Sequence, residues 1–444
     1  MINVSSLAQN LDTVESNNGS SIVSTSAKVY TLEQCINEAV NNNLKLRNAD
    51  RQILMSTEQR KEAYTKYFPT ISAMGLGYAA DKGLVQMDLG GGMAMSLLKH
   101  GYTASVTAMQ PVFAGGQIVN GNKLAKVGEE VSRLRRGLTE NEIRLNTENY
   151  YWQAVMLKEK LKTIDQVVKQ LIEVKKDAQA AVDAGIRNRN DLLQVQLRHN
   201  ETRTTRIQVE NALHTVCDLL AQMMGHTEGN IDVCNFMEVL SGNTSDQEKA
   251  SDEIVVDNPQ QLFVAPESAL QQTNEYQLLD KQVEAGKLQY KMSVGKNLPS
   301  VAVGGGYVYN HLMDKSQNNL VGMLTVSMPI SSWWGGSHDM KRKKLEIANA
   351  MDDKQNQSEL LIIRMRKAWN DLGDAYKQVA IAKESIEQSE ENLRLNTDYY
   401  QAGTSTITEV LDAQTLYQQS CDQYVESVAK YEVKRREYLQ ATGR

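Results

Sequence analysis

The chain is short of the residues that build compact cores and tight reversals. Of 444 residues only 6 are proline and four are phenylalanine, and aromatic side chains make up 6%. Gln, Asn, Glu, Lys, Ala and Leu dominate instead, a mix typical of long helices with little globular core. The four cysteines, Cys35, Cys217, Cys234 and Cys421, are far apart and form no Cys-x-x-Cys pair. They read as buried or half-buried thiols. The net charge of -6 and the lack of any Lys/Arg-rich run leave no basic footprint for nucleic acid. No apolar run approaches the roughly 18–20 residues of a transmembrane helix; "LLIIRM" at 360–365 is far too short. Nucleophile-elbow, Walker, His-Glu-x-x-His and dinucleotide signatures are missing, and the six histidines are scattered singly. An enzyme is therefore not expected, nor a cofactor or metal. The N-terminus "MINVSSLAQN" has no basic segment followed by an apolar one. Either the protein stays in the cytosol or this sequence starts after a removed signal. Residues 1–29, rich in Ser, Asn and Thr, read as a flexible polar segment.

What is present is a duplication. Pro69 opens "FPTISAMGLGYAA" and Pro299 opens "LPSVAVGGGYVYN". Pro111 closes "GYTASVTAMQPVFAGGQ" and Pro329 closes "LVGMLTVSMPISSWWGGS". "DAGIRNRNDLLQVQ" at 183–196 is a weaker copy of "QAGTSTITEVLDAQT" at 401–415, with Gly185 and Gly403 in corresponding places. Matching order and punctuation imply two repeats, 30–225 and 259–444, joined by a linker over 226–258.

The proline-bracketed segments, about 70–113 and 300–330, alternate with period two. Tyr102, Ala104, Val106, Ala108 and Val112 oppose Thr103, Ser105 and Thr107; Leu320, Leu324, Val326, Met328 and Ile330 oppose Thr325 and Ser327. These are strands with one apolar and one small, polar face, about ten residues long, which suits a tilted membrane strand. A soluble hairpin with one buried face fits the strands alone equally well. The rest is helical. Leu124, Val131, Leu138, Leu145 and Trp152 recur in sevens, with Val127 and Leu134 at the second heptad position; Met365, Leu372, Val379, Ile386 and Leu393 do the same in the second half. A helix over 117–184 would be on the order of 100 Å long. Shorter helices are expected at 31–66, 189–224, 260–296 and 407–441.

Four strands cannot close a barrel, and open amphipathic edges aggregate. If the apolar faces meet lipid, protomers must pool strands. Three would give a 12-strand β-barrel continued by a 12-helix α-barrel. Tyr67, Phe68, Phe113, Trp333 and Trp334 all fall at the helix-facing end of the strands, where an interfacial aromatic girdle belongs.

"PVFAGGQ", "PISSWWGGS" and "QAGTSTITEVLDAQTLY" together resemble the strand exits and helix-tip motif of TolC-like outer-membrane efflux proteins, a resemblance that covers roughly residues 30–440. It implies a mainly α fold with a small β part: long coiled-coil hairpins in two tandem repeats plus four membrane strands. It also implies a homotrimer, with the β-barrel in the outer membrane of a Gram-negative bacterium and the helical barrel in the periplasm. The trimer would be the exit duct of a tripartite pump or type I secretion system. A periplasmic adaptor and, through it, an inner-membrane transporter would be partners, and 1–444 would be a processed form lacking its signal. Gly185, Ile186, Gly403 and Thr404 would meet the adaptor at the tips, with Asn190/Asp191 and Thr406/Thr408 as capping groups of the returning helices. Glu409 and Asp412 match family acids that ring the entrance, where crowding should raise carboxyl pKa values. Asp191 and Tyr400 match gate residues. The family's basic gate partner is Ser405 here, so Arg187 and Arg189 in the other tip are the cations placed to replace it. A periplasmic adaptor would carry one hairpin between lipoyl-like strands, not two in tandem. A soluble coiled-coil scaffold would explain the heptads but not the paired strands or clustered aromatics.

Overall fold

The computed structural model describes residues 28–81, 85–88, 94–97, 100–226, 231–236, 256–312 and 315–444. Most of the polar N-terminal segment therefore lies outside the described residues. Its last two residues do not continue as a tail: Lys28–Tyr30 forms strand β1, which pairs in parallel with β6, Ile231–Val233, inside the linker. Within the first proline-bracketed segment, Val85–Asp88 (β3) and Ala94–Leu97 (β4) pair as a small antiparallel hairpin.

The membrane-length strands are β2 (Thr70–Ala79), β5 (His100–Ala114), β7 (Ser300–Leu312) and β8 (Lys315–Ser327). They form one antiparallel sheet in the order β2-β5-β7-β8. Pro111 does not end its strand. It lacks an N–H, and the β5–β7 register shifts between Pro111 and Phe113, so a bulge absorbs the proline and β5 runs on to Ala114.

Helices α1 (Leu32–Asn42) and α2 (Leu44–Thr65) replace the single helix expected at 31–66. Asn43 breaks it: its backbone is extended, its side-chain oxygen accepts the Lys45 N–H at 2.9 Å, and its amide donates to the Met223 carbonyl at 2.9 Å. The helix expected from 260 starts at Asn274 as α5 (Asn274–Lys296), capped by Thr273. Pro259 and Pro266 each start only a single short turn before it. The long helices are α3 (Gln117–Asp183) and α6 (Ser332–Gln401), and the returning helices are α4 (Arg189–Met223) and α7 (Ile407–Ala441). Among the described residues no helix is long and apolar enough to cross a membrane.

The α6 heptad buries in its first three positions, where Met365, Leu372 and Val379 alternate with Ala368, Ala375 and Ala382, all buried, while Ile386 and Leu393 nearer the tip are half-buried. On α3 the expected row is only partly right. Val127 and Trp152 are buried, but Leu124, Val131, Leu138 and Leu145 are half-buried, and toward the tip the seam passes to Ile164, Val167, Leu171 and Ala178. The main core gathers the mid-sections of α3 and α6, the C-terminal half of α7, α1, the end of α4 and the β1–β6 pair, around Tyr151, Trp152, Tyr431 and Tyr438. Cys35 and Cys217 are buried and Cys234 and Cys421 half-buried, all free thiols. Close to the sheet, the helices pack in the sequence α2-α3-α5-α6. That repeats the strand order, because each strand leads directly into or out of its own helix.

Candidate functional site

Both long helices stop in the same way. Beyond α3, Gly185 takes a φ of 71°; its N–H donates to the Val182 carbonyl at 3.0 Å and the Ile186 N–H to Ala181 at 2.9 Å. Beyond α6, Gly403 takes 76°, with Gly403 bonded to Tyr400 at 3.0 Å and Thr404 to Tyr399 at 2.9 Å. The left-handed residue lets two backbone donors close onto the last free carbonyls, and an L side chain there is strained. No atom lies within 4 Å of where a Cβ would sit on either glycine, so conformation alone requires glycine.

The returning helices start differently. Thr406 caps α7, accepting the Glu409 N–H at 3.4 Å, while the Glu409 carboxylate accepts the Thr406 N–H at 3.2 Å: a complete capping box. The Ser405 hydroxyl also donates to that carboxylate. At α4 the cap is Asn188, not Asn190 or Asp191, and its side chain makes no capping bond. Thr408 is not a cap either; its hydroxyl donates across to Gln194 Oε1 at 2.9 Å.

The two tips pack on one another. Val167, Leu171 and Ala178 of α3 meet Leu192 and Val195 of α4 and Ile407 and Leu411 of α7, with Tyr400 at the margin. Arg187 straps the margin: its guanidinium donates to the Tyr400 carbonyl at 3.1 Å and lies 4.6 Å from the Tyr400 ring centroid. Burial pushes the Tyr400 phenol above its usual value, against the opposing pull of Arg187 and with Asp191 and Asp177 adding to the rise. Asp191, Tyr400 and Arg187 are thus brought together. The Arg189 side chain is exposed and, among the described residues, has no hydrogen-bond or ion-pair partner, which sets it apart from Arg187.

Glu409 and Asp412 are both exposed. Within the protomer Glu409 departs from the expectation of a raised carboxyl. Hydrogen bonds from Ser405 and the Thr406 backbone hold its pKa below the usual range. The Thr-x-x-Glu spacing at 406–409 carried the signal for this capping role. Among the described residues the Asp412 side chain has no hydrogen-bond partner. Gly185, Ile186, Gly403 and Thr404 are all exposed at the turns, Ile186 at 75%.

At the other end of the helices, the sheet turns its apolar face outward. Leu320 is 87% exposed, and Val106, Leu324 and Val326 are exposed beside it. Registry puts Ile71, Ala108, Gly305 and Gly322 on this face too. Met74 and Leu76 break the alternation, because they pair with Ser105 and Thr103 on the opposite face. Phe68, Phe113, Trp333 and Trp334 are exposed where strands become helices, and the Trp333 indole donates to the Asn297 carbonyl at 2.9 Å. Tyr64 joins them, edge-on to Phe68 with centroids 5.8 Å apart. A second aromatic row, not foreseen, stands at the far end: Tyr102, Tyr307 and Tyr309 share the outward face, and Tyr102 stacks on His311 at 5.0 Å. From Tyr102 to Phe113 a strand tilted by about 40° rises roughly 25–30 Å, the height of an outer-membrane apolar band.

The sequence pattern of outer membrane efflux proteins matches residues 35–226 and 265–444, most of the chain. The chain belongs to that family. Three solved channels share the fold of this efflux protein. VceC from Vibrio cholerae is 11% identical, with a TM-score of 0.75 over 93% of this chain and 96% of its own. The Campylobacter jejuni CmeC outer membrane channel is 14% identical, with a TM-score of 0.74 over 93% and 85%. The open state of the Neisseria gonorrhoeae MtrE outer membrane channel is 14% identical, with a TM-score of 0.72 over 93% and 88%. No curated protein sequence matches. In this efflux protein the outward apolar face and both aromatic rows lie on or beside the four-stranded sheet, at the end of the long helices away from the two glycine turns.

Proposed function

We propose that this efflux protein is a homotrimeric channel through the outer membrane, the exit duct of a tripartite efflux pump or type I secretion system, gated at its helix tips. One observation carries the reading: sheet and helices end on the same two open edges, β2 with α2 and β8 with α6, while the apolar face of the sheet lies bare. Unpaired backbone at an edge cannot be left in hydrocarbon, so the sheet must be closed by other copies. Three copies supply twelve strands around a lumen, and each repeat, 30–225 and 259–444, contributes one hairpin of strands and one of helices. Lipid meets the apolar band. In the periplasm the exposed turns at Gly185, Ile186, Gly403 and Thr404 face an adaptor protein that links the duct to an inner-membrane transporter.

At the tips Asp412 is the free carboxylate of the entrance, and three-fold repetition makes a ring that favours cations. Glu409 stands beside it but is committed to its own helix start. Arg187 on Tyr400 holds the two tips of one protomer together and takes the place of the cation lost at Ser405. Planar-bilayer recording tests the reading: purified protein gives discrete, cation-selective conductance steps, and Asp412→Asn lowers the selectivity. Protein that inserts and conducts nothing, including after Arg187→Ala, contradicts a channel.

A further inference from the structure

We infer the register of the seam between protomers, an inference that rests on the trimeric reading: the outer face of α2 packs antiparallel on the first turns of α6 from the next copy, with Leu54 against Leu345, Glu58 against Lys341 and Arg47 against Asp352. The chain contains its own template for this seam. Inside one protomer, α3 of the first repeat packs on α5 of the second, with Glu130 and Lys281 paired at 2.7 Å, Gly121 facing Met292 and Gly137 facing Asn274. The duplication carries α3 onto α6 by 218 positions, as Gly185 to Gly403 and Pro111 to Pro329 show, and α2 onto α5 by 230, as Pro69 to Pro299 shows. The α3–α5 contact therefore has a counterpart between α6 and α2. One protomer cannot make it, because α2 and α6 stand at opposite edges of its helix layer.

Transferring the template gives the register. The Glu130–Lys281 pair maps to positions 348 and 51, three residues along the helix from Leu345 and Leu54. Leu345 is the counterpart of Val127. Val127, with a helix on either side of α3, is 4% exposed; Leu345, with α5 on one side only, is 66% exposed. Leu54, on the facing edge, is 65% exposed and opens a shallow groove that runs along α2 to Thr65.

The chemistry of the two faces agrees with that register. Arg47, Leu54 and Glu58 are spaced by seven and four and so form one stripe; Lys341, Leu345 and Asp352 are spaced by four and seven and form another. Laid antiparallel, they match cation to anion at both ends and leucine to leucine between. Arg47, Lys341 and Asp352 are exposed and, among the described residues, have no ion pair in the protomer, where Glu58 pairs with Lys61 of its own helix. A slip of one heptad in one direction sets Arg47 on Leu345, and in the other sets Leu54 on Asp352. Each slipped register faces a leucine with a charge, so the stripes select one alignment.

The test uses full-length protein in detergent. Light scattering first establishes the assembly, and copper–phenanthroline oxidation then follows on Leu54→Cys/Leu345→Cys. Covalent dimers and trimers are expected on a denaturing gel, absent from either single variant and from the out-of-register pair Leu54→Cys/Asp352→Cys. A charge swap covers the case in which cysteines disturb the seam. Glu58→Lys should speed trimer dissociation by roughly two- to five-fold, the scale of an exposed ion pair, and added Lys341→Glu should restore it. A trimer that cross-links only out of register, or neither cross-links nor responds to the swap, overturns this register and leaves the channel standing. A protein that forms no trimer overturns the channel reading and the seam with it.

Discussion

At Gly185 and Gly403 the chain performs the same stop, a left-handed glycine and two backbone bonds, yet the helices that leave the two turns begin differently. The second tip holds itself: Thr406, Glu409 and Ser405 satisfy the start of α7 from within five residues. The first tip has no side-chain cap at Asn188 and is instead tied sideways, through Arg187, to the end of α6. Duplication has kept the part that fixes backbone geometry and let the part that fixes stability diverge. A self-capped turn can keep its shape when neighbours move, whereas a turn strapped to its neighbour registers whether that neighbour is in place.

The largest effect should be shared by both tips. Gly185→Ala and Gly403→Ala each force an L residue into left-handed backbone and should cost about 1–2 kcal/mol locally. The check is faster amide exchange at Ile186 or Thr404, and a large difference between the two variants would break the equivalence of the stops. Next, Thr406→Ala should cost about 1 kcal/mol at the start of α7. Asn188→Ala, removing a side chain that caps nothing, should leave exchange at the start of α4 unchanged; equal losses would show that the two starts are alike. Arg187→Ala should loosen the strap by about 0.5–1 kcal/mol, the scale of an exposed cation–ring contact. It should also raise basal conductance, while Arg189→Ala should leave conductance unaltered. A rise from both variants would make charge rather than contact the cause.

The smallest effect is a pH dependence confined to the second tip. Glu409 has its folded pKa lowered, chiefly by Ser405 and then by the Thr406 N–H. Its contribution is therefore complete above the ordinary glutamate value of about 4.3 and is lost as pH falls through the lower folded value. Exchange protection at the start of α7 should fade over that range, after correction for intrinsic rates, and Glu409→Gln should abolish the dependence. Fading at the start of α4 as well would deny that the two tips are secured differently.

Much of this was readable along the chain, because helix ends and heptads are local signals. The bounds of α7 and the stops at Gly185 and Gly403 appear where the sequence places them. The break at Asn43 was hidden, since a polar residue within a helical pattern becomes a cap only when its side chain folds back on Lys45. The Arg187–Tyr400 strap joins residues 213 apart, and no local pattern predicts it. The faces of Met74 and Leu76 depend on pairing register, which alternation within β2 alone cannot supply. The outer tyrosine row was legible in "GYVYN" but takes its meaning only once Tyr102 is set beside Tyr309 and His311.

The most direct test is the mass of the purified protein, by native mass spectrometry or light scattering, with and without detergent. The expected result is an assembly of three 49.6 kDa chains that stays in solution only in detergent or lipid. A monomer or dimer freely soluble without detergent would contradict it, because the bare apolar face and open edges of the four-stranded sheet would then need another explanation.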